Sequence, residues 1–387
     1  MIINGERALA YVVTIDEIKP IDGYDRVEYA RTNGWWVVVS KNDNLKVGDK
    51  CVYFEIDSKV PESDERFEFL AGKKFKVKTQ KMCRVVSQGL LMPLRLFPEL
   101  GDAEVNTDVT QALGVIYSVE EDNVRKARTD PNARYKSMAA RHKRLFNKKP
   151  IRWLMRHKWG RKFLFLLFGR KKDKPLGFPS YIKKTDEERC ENEPWRLGDG
   201  KEYLASEKLD GTSCTYALKR KRFGKFDFAV CSRNVRQLDE NQKTYHDHNI
   251  YWDMAFQYDI KNHLIEYLKN HKDLEWVCIQ GEGVGSVQGN PLKLGYDDLF
   301  CFNFIDSKAG RYPSDVGKRI VEKWGMKWVP LLGVVKIPET MEELKTLADG
   351  KSVVNPNVMR EGIVYRSLDG KDSFKNVSRK YLLKKGE

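Results

Sequence analysis

The chain has 387 residues, of which 41% are hydrophobic and 11% aromatic, and it carries a formal net charge of +15. That length accommodates two domains, each with its own core, and the excess of cations favours a polyanionic partner, whose counterions basic side chains release on binding. The longest apolar run, Phe163 to Phe168, is far too short to cross a bilayer, and no signal peptide opens the chain.

Residues 1–115 read as short strands. Val27–Ala30 and Trp35–Val39 flank a turn at Asn33-Gly34, and Lys46–Asp49 turns into Cys51–Ile56. Lys74–Lys78 alternates polar and apolar residues and is expected to be a further strand. Short strands punctuated by Gly, Asn and Asp predict a small β-barrel.

Residues 116–190 form a basic insert. Between Arg125 and Lys174, 19 Lys or Arg face only Asp130 and Asp173, a net of +17, which leaves −2 for the rest of the chain. One or two basic helices are expected over 136–168, with Trp153, Leu154, Trp159, Phe163 and Leu166 as apolar positions and Pro131, Pro150 and Pro175 as interruptions. A nucleic-acid clamp, a linker with a docked helix and a membrane-surface element all fit such a charge run.

Residues 191–387 read as α+β, antiparallel strands with helices near 241–270, 314–324 and 340–348. The last has Thr340 as N-cap, Glu343 three residues on, and Gly350 just past its end. The seven cysteines form no CxxC pair, which favours reduced thiols in a cytoplasmic protein over a disulfide framework or a zinc site.

Chemistry concentrates in this last part. Ser206-Glu207-Lys208-Leu209-Asp210-Gly211 follows a short strand; lysine becomes a nucleophile when nearby cations or metal depress its pKa, and Gly211 would let the backbone approach a nucleotide. K-x-D-G alone is a weak signal. Its weight comes from five downstream segments in order: Cys231-Ser232-Arg233-Asn234, Gln280-Gly281-Glu282-Gly283, Leu299–Asp306, Arg360-Glu361-Gly362-Ile363 and Ser373-Phe374-Lys375. Glu282 and Glu361 are carboxylates beside glycines that could hold a ribose hydroxyl or Mg²⁺. Alternation would set Phe300, Phe302 and Phe304 on one face, and Arg233 and Lys375 suit phosphate.

In order, these six segments resemble motifs I, Ia, III, IIIa, IV and V of the covalent nucleotidyltransferases, the superfamily of DNA ligases, RNA ligases and mRNA capping enzymes. The resemblance implies that Lys208 takes AMP from ATP as a lysyl phosphoramidate. It sets Glu207 at the adenine edge, Arg233 at ribose or phosphate and Glu282 on the ribose. Glu361 falls on the Mg²⁺ or Mn²⁺ and ribose side, and Lys375 at the α-phosphate. Phe302 is the choice for stacking on adenine, with Phe304 as competitor.

Only twelve residues follow Lys375, too few for the OB domain that DNA ligases and capping enzymes carry after motif V. A β-module instead precedes the catalytic part, and its Ser87-Gln88-Gly89-Leu90 resembles a phrase of tRNA-binding OB-like domains. The whole is similar to Deinococcus-type RNA ligases, which seal nicks that have an RNA 3′-OH end. It implies a monomeric RNA-repair enzyme acting on nicked RNA or RNA–DNA hybrid. A capping-type nucleotidyltransferase and a non-catalytic nucleic-acid binder with the ligase fold are the alternatives. Motif V departs from the pattern: where phage relatives have a first lysine this chain has Ser373, so Lys375 would act alone or with Lys371.

Overall fold

The computed structural model describes residues 1–3, 6–118, 148–168, 177–237 and 249–385. By internal contacts the chain divides into two units, residues 1–115 with 175–387, and residues 116–174.

The N-terminal module is built of antiparallel strands. Ala10–Thr14, Lys50–Phe54 and Leu90–Pro93 form one sheet, and Glu17–Ile21, Tyr24–Thr32 and Trp35–Ser40 another. Trp35–Ser40 buries every second residue, and Trp35, Val37 and Val39 meet Tyr11, Val13 and Tyr53 in one core. The expected strand at Lys74–Lys78 does not form. Lys74 and Phe75 both adopt positive φ after a 3₁₀ stretch, Glu65–Lys73, leaving a lone bridge between Lys59 and Lys76. Two left-handed residues in succession turn the chain out of an extended path.

The C-terminal part contains two sheets. In the first the order is Glu188–Arg189, Ser373–Val377, Gly362–Ser367, Glu202–Lys208 and Leu331–Lys336, antiparallel except for the first pair. In the second, Arg236–Gln237, Phe226–Cys231, Thr212–Arg220, Trp276–Val284, Asp298–Asp306 and Gly310–Arg311 lie side by side. Helices Ile250–Gln257, Ile260–Asn270 and Ser314–Glu322 cover the second sheet's core, while Met341–Ala348 packs on the first. The helical segment expected near 241–270 is two helices, broken at Tyr258-Asp259, where Asp259 takes φ 44°; residues 241–248 of that expectation lie outside the described residues. Thr340 caps its helix as read, its hydroxyl accepting from the Glu343 N–H.

The N-terminal module and the C-terminal part share a polar junction. Asn192 accepts from Trp35 Nε1 at 2.6 Å and donates to Glu55 and Glu188 at 3.1 and 2.7 Å. Gly34 is needed there, because a Cβ on it would lie 2.6 Å from the Glu191 Cα. The Ser87-Gln88 phrase is part of the scaffold: Ser87 accepts from the Val38 N–H, and buried Gln88 accepts from Arg379 Nε at 3.1 Å.

In the separate unit, Lys149–Arg156 and Lys158–Phe168 are helices, meeting at His157 in an extended conformation. Trp153, His157 and Trp159 form an aromatic cluster with centroids 4.8–6.1 Å apart, and Trp153, Trp159, Phe163 and Leu167 are exposed. The rest of the helical expectation, residues 136–147 and the side chain of Leu166, falls outside the described residues. Among the described residues no helix is long and apolar enough to cross a membrane.

Candidate active site

Lys208 ends an inner strand of the first sheet, between Gly362–Ser367 and Leu331–Lys336, and Thr212 begins a strand of the second, so Lys208-Leu209-Asp210-Gly211 is the link between sheets. Pairing then assembles the acidic residues around it. Lys208 lies opposite Gly362, the neighbour of Glu361, and Ser213 lies opposite Glu282. The amine sits 2.6 Å from Glu361 Oε1. Asp210 accepts from Lys385 Nζ at 2.8 Å and from the Tyr381 hydroxyl, both on the C-terminal helix Arg379–Lys385. The role expected of Gly211 changes: the backbone it admits is that of Gly283, whose carbonyl oxygen would lie 2.2 Å from a Cβ.

Electrostatics here run opposite to the sequence expectation of a depressed lysine. Burial works to lower the Lys208 pKa, but the carboxylates of Glu361 and Glu282 outweigh it and raise the value above 10.5. Glu282 is pushed up to about 8 by burial and by the nearby Glu361 and Asp210, against the pull of Lys208. Burial also raises Glu361. Glu361 Oε2 is buried and has no hydrogen-bond partner among the described residues, so this carboxylate keeps one oxygen to meet a cation.

A second cluster joins Arg233 and Lys375. Asp186 Oδ2 accepts from Arg233 at 2.7 Å and Asp186 Oδ1 from Lys375 at 3.1 Å. Burial lowers the Lys375 pKa, and Arg7, Arg189 and Lys208 add to that against Asp186. Lys371 is far more exposed and only grazes Asp369 at 4.0 Å, so the described contacts leave Lys375 as the motif V lysine at this cluster.

Phe302 and Phe304 are separated by a β-bulge. Gln280 pairs with Asn303 and Gly281 with Cys301, so Phe302 is the extra residue and the alternation expected for Phe300, Phe302 and Phe304 breaks there. Phe304 is fully buried among Tyr267, Tyr312 and Trp324. Phe302 is half-buried, with the Arg366 guanidinium 5.6 Å from its ring centre. Glu207 is buried and shares a strand face with Tyr203 and Ala205, not with Lys208. Its Oε2 accepts from the Val353 N–H at 2.8 Å, and the Ser352 side chain lies close enough to favour the charged carboxylate.

Residues 9–94 match an OB-fold domain model, and residues 201–384 match the RNA ligase family model. Solved structures of a Naegleria gruberi RNA ligase align over nearly the whole length. The form with pyrophosphate is 29% identical, with 97% of this chain and 98% of that chain covered and a TM-score of 0.72. A lysine-to-alanine variant with ATP and manganese gives 28%, the same coverage and 0.70. A glutamate-to-alanine variant with AMP and manganese gives 29%, the same coverage and 0.72. The chain carries an OB-fold domain followed by an RNA ligase domain. No curated protein matches it.

Several residues of this candidate site carried no sequence signal. Asp186 and Glu187 precede motif I in the segment read as the end of the insert. Glu187 accepts from Arg311 and Arg366 at 3.2 and 3.3 Å and from the Ser373 hydroxyl, so it anchors the strand ends that carry motifs IV and V. Asp210 was visible as the Asp of K-x-D-G; its tie to Lys385 and Tyr381 was not. Arg7, from the N-terminal module, pairs with Glu55 at 3.0 Å and contributes to the field at Asp186 and Lys375.

Proposed function

We propose that this RNA ligase forms lysyl-AMP on Lys208 from ATP, transfers AMP to a 5′-phosphate end and joins that end to a 3′-OH, acting on nicks in duplex whose 3′-OH strand is RNA. The observation that carries this reading is the Lys208 amine, 2.6 Å from Glu361 at the link between two sheets, with Lys375 of the Arg233–Asp186–Lys375 cluster within electrostatic reach of it.

Lys208 is the nucleophile at the α-phosphorus; the Lys208 N–P bond forms as the bond to pyrophosphate breaks. The amine must first shed its proton, and Glu361 is the acceptor within reach. Glu282, pushed up to about 8, is largely a neutral acid near pH 7 and so both donates to and accepts from a ribose hydroxyl. Arg233 and Lys375 bind phosphate oxygens. Phe302 stacks on adenine, because Phe304 is sealed in the core. Glu207, on the opposite strand face, acts at the adenine edge through the Ser352-Val353 segment that its carboxylate holds. Mg²⁺ or Mn²⁺ would be held by Glu361 through its unpartnered Oε2, and supplies neutralisation of the phosphates.

Phe302→Ala should raise the ATP concentration for half-maximal adenylylation roughly tenfold, since a base–aromatic stack contributes about 1–3 kcal/mol. Phe304→Ala should instead unfold the protein earlier, by about 3–5 kcal/mol in denaturant. An unchanged ATP requirement in Phe302→Ala would remove Phe302 from the adenine site.

The function is tested by sealing assays on nicked duplexes with ribo- or deoxyribonucleotides on each side. Joining is expected wherever the 3′-OH strand is RNA, and equal joining of all-DNA nicks would refute that preference. Labelling by GTP in place of ATP would favour the capping-type alternative. We assign the +17 segment to phosphate contacts; duplex binding by the chain without residues 119–174 should then show a shallower salt dependence.

A further inference from the structure

Asp186 belongs to none of the motifs, yet both cations assigned to phosphate converge on it. Each carboxylate oxygen takes one of them: Oδ2 accepts from Arg233 at 2.7 Å and Oδ1 from Lys375 at 3.1 Å. Two geminal oxygens bridging a guanidinium and an ammonium present the pattern that two oxygens of a phosphate group would present. Asp186 is fixed from behind by the chain itself. The next residues enter the first sheet, where Glu188 and Arg189 run parallel to Phe374 and Lys375. Arg233 is 42% exposed and Lys375 10%, so one cation of the pair faces the solvent side and the other is enclosed. Without Asp186 the enclosed ammonium would lose its hydrogen-bonded carboxylate and keep the repulsion of Arg7, Arg189 and Lys208.

We propose that Asp186 is a built-in stand-in for phosphate. It holds Arg233 and Lys375 together while the nucleotide site is empty, yields them to the phosphates of ATP, and recaptures them as pyrophosphate departs. The carboxylate therefore competes with the anion these cations bind, and the competition favours release of pyrophosphate after Lys208 has taken AMP. This inference rests on the assignment of Arg233 and Lys375 to phosphate.

The test is calorimetric titration of inorganic pyrophosphate into the full-length protein and four variants. Asp186→Asn keeps the shape and removes the competitor, so pyrophosphate should bind roughly tenfold tighter. Asp186→Glu keeps the charge and should bind within a few-fold of the parent. Arg233→Ala and Lys375→Ala should bind more weakly. A residue that only braced the pocket would give the opposite sign, weaker binding in Asp186→Asn, and that result, or no change, overturns the stand-in. If neither Arg233→Ala nor Lys375→Ala weakens binding, the phosphate assignment itself fails. Thermal denaturation accompanies each variant; should Asp186→Asn not fold, Asp186→Ser carries the same expectation of tighter binding and the same refutation.

Discussion

Lys208→Ala is expected to abolish covalent labelling of the protein by ATP carrying the label on its α-phosphate, a loss of at least about 10³-fold in adenylylation, because no other group can form the bond at that position. The label in the parent should be stable to denaturation and lost on reversal with pyrophosphate. Sealing of a nick already carrying a 5′-AMP should survive in Lys208→Ala far better than sealing of an ordinary 5′-phosphate nick, since only the later steps bypass the lysine. Persisting label in the variant would sink the assignment. The rate should also depend on pH in a defined direction. Glu361 and Glu282 hold the Lys208 pKa above 10.5, so the amine is protonated across the neutral range when the site is empty. The free-amine fraction then grows about tenfold per pH unit, and adenylylation at limiting ATP should rise with pH until a later event limits it. A flat profile between about pH 6 and 8.5 would show that the proton of Lys208 passes to a group inside the site, such as Glu361, and not to solvent.

The second large effect is on stability. Lys345→Met should cost about 3–5 kcal/mol in chemical denaturation, because it strands a buried charge. Lys345 Nζ lies 2.6 Å from Glu191 Oε1 and 2.7 Å from the Val377 carbonyl oxygen, with the two side chains 2% and 0% exposed. Burial works to raise the Glu191 pKa, but Lys345 and Arg189 prevail and hold it below the ordinary 4.5. A depressed carboxylate contributes stability that is present above its unfolded pKa and lost as pH falls through the lower folded value. The parent should therefore lose this contribution only in acid. In Lys345→Met the carboxylate loses its main counter-ion, so the gap to the parent should be widest near neutrality and shrink as acid neutralises Glu191. The double variant Lys345→Met/Glu191→Gln should recover part of the loss. Additive single losses would show that the pair is not coupled. The same Glu191 carries a carbonyl that accepts from the Gly34 N–H at 2.6 Å, so this pair underlies the turn of the N-terminal module.

The order of the motifs and the residue types at Lys208, Glu282, Glu361 and Lys375 were legible because nucleotide chemistry restricts what can stand there. The Trp35–Ser40 strand and the Thr340 cap were legible because alternation and capping are local. The path of Lys74–Lys78 was not, because alternation says nothing of φ, and Lys74 and Phe75 sit in the left-handed region. Phe302 and Phe304 could not be separated from sequence, since a bulge opposite Gln280-Gly281 sets the parity and no residue type marks it.

The sequence by itself determined which residues are candidates for the chemistry and that the OB-fold domain precedes the ligase domain, because both are written in consecutive residues. Only the tertiary structure decided which groups face Lys208. Strand pairing brings Glu361 to the amine, and it brings Asp186 to Lys375 across 189 positions of chain. It also reversed the expected sign at the lysine: its nearest charges are carboxylates, and with Glu361 at 2.6 Å their attraction outweighs burial.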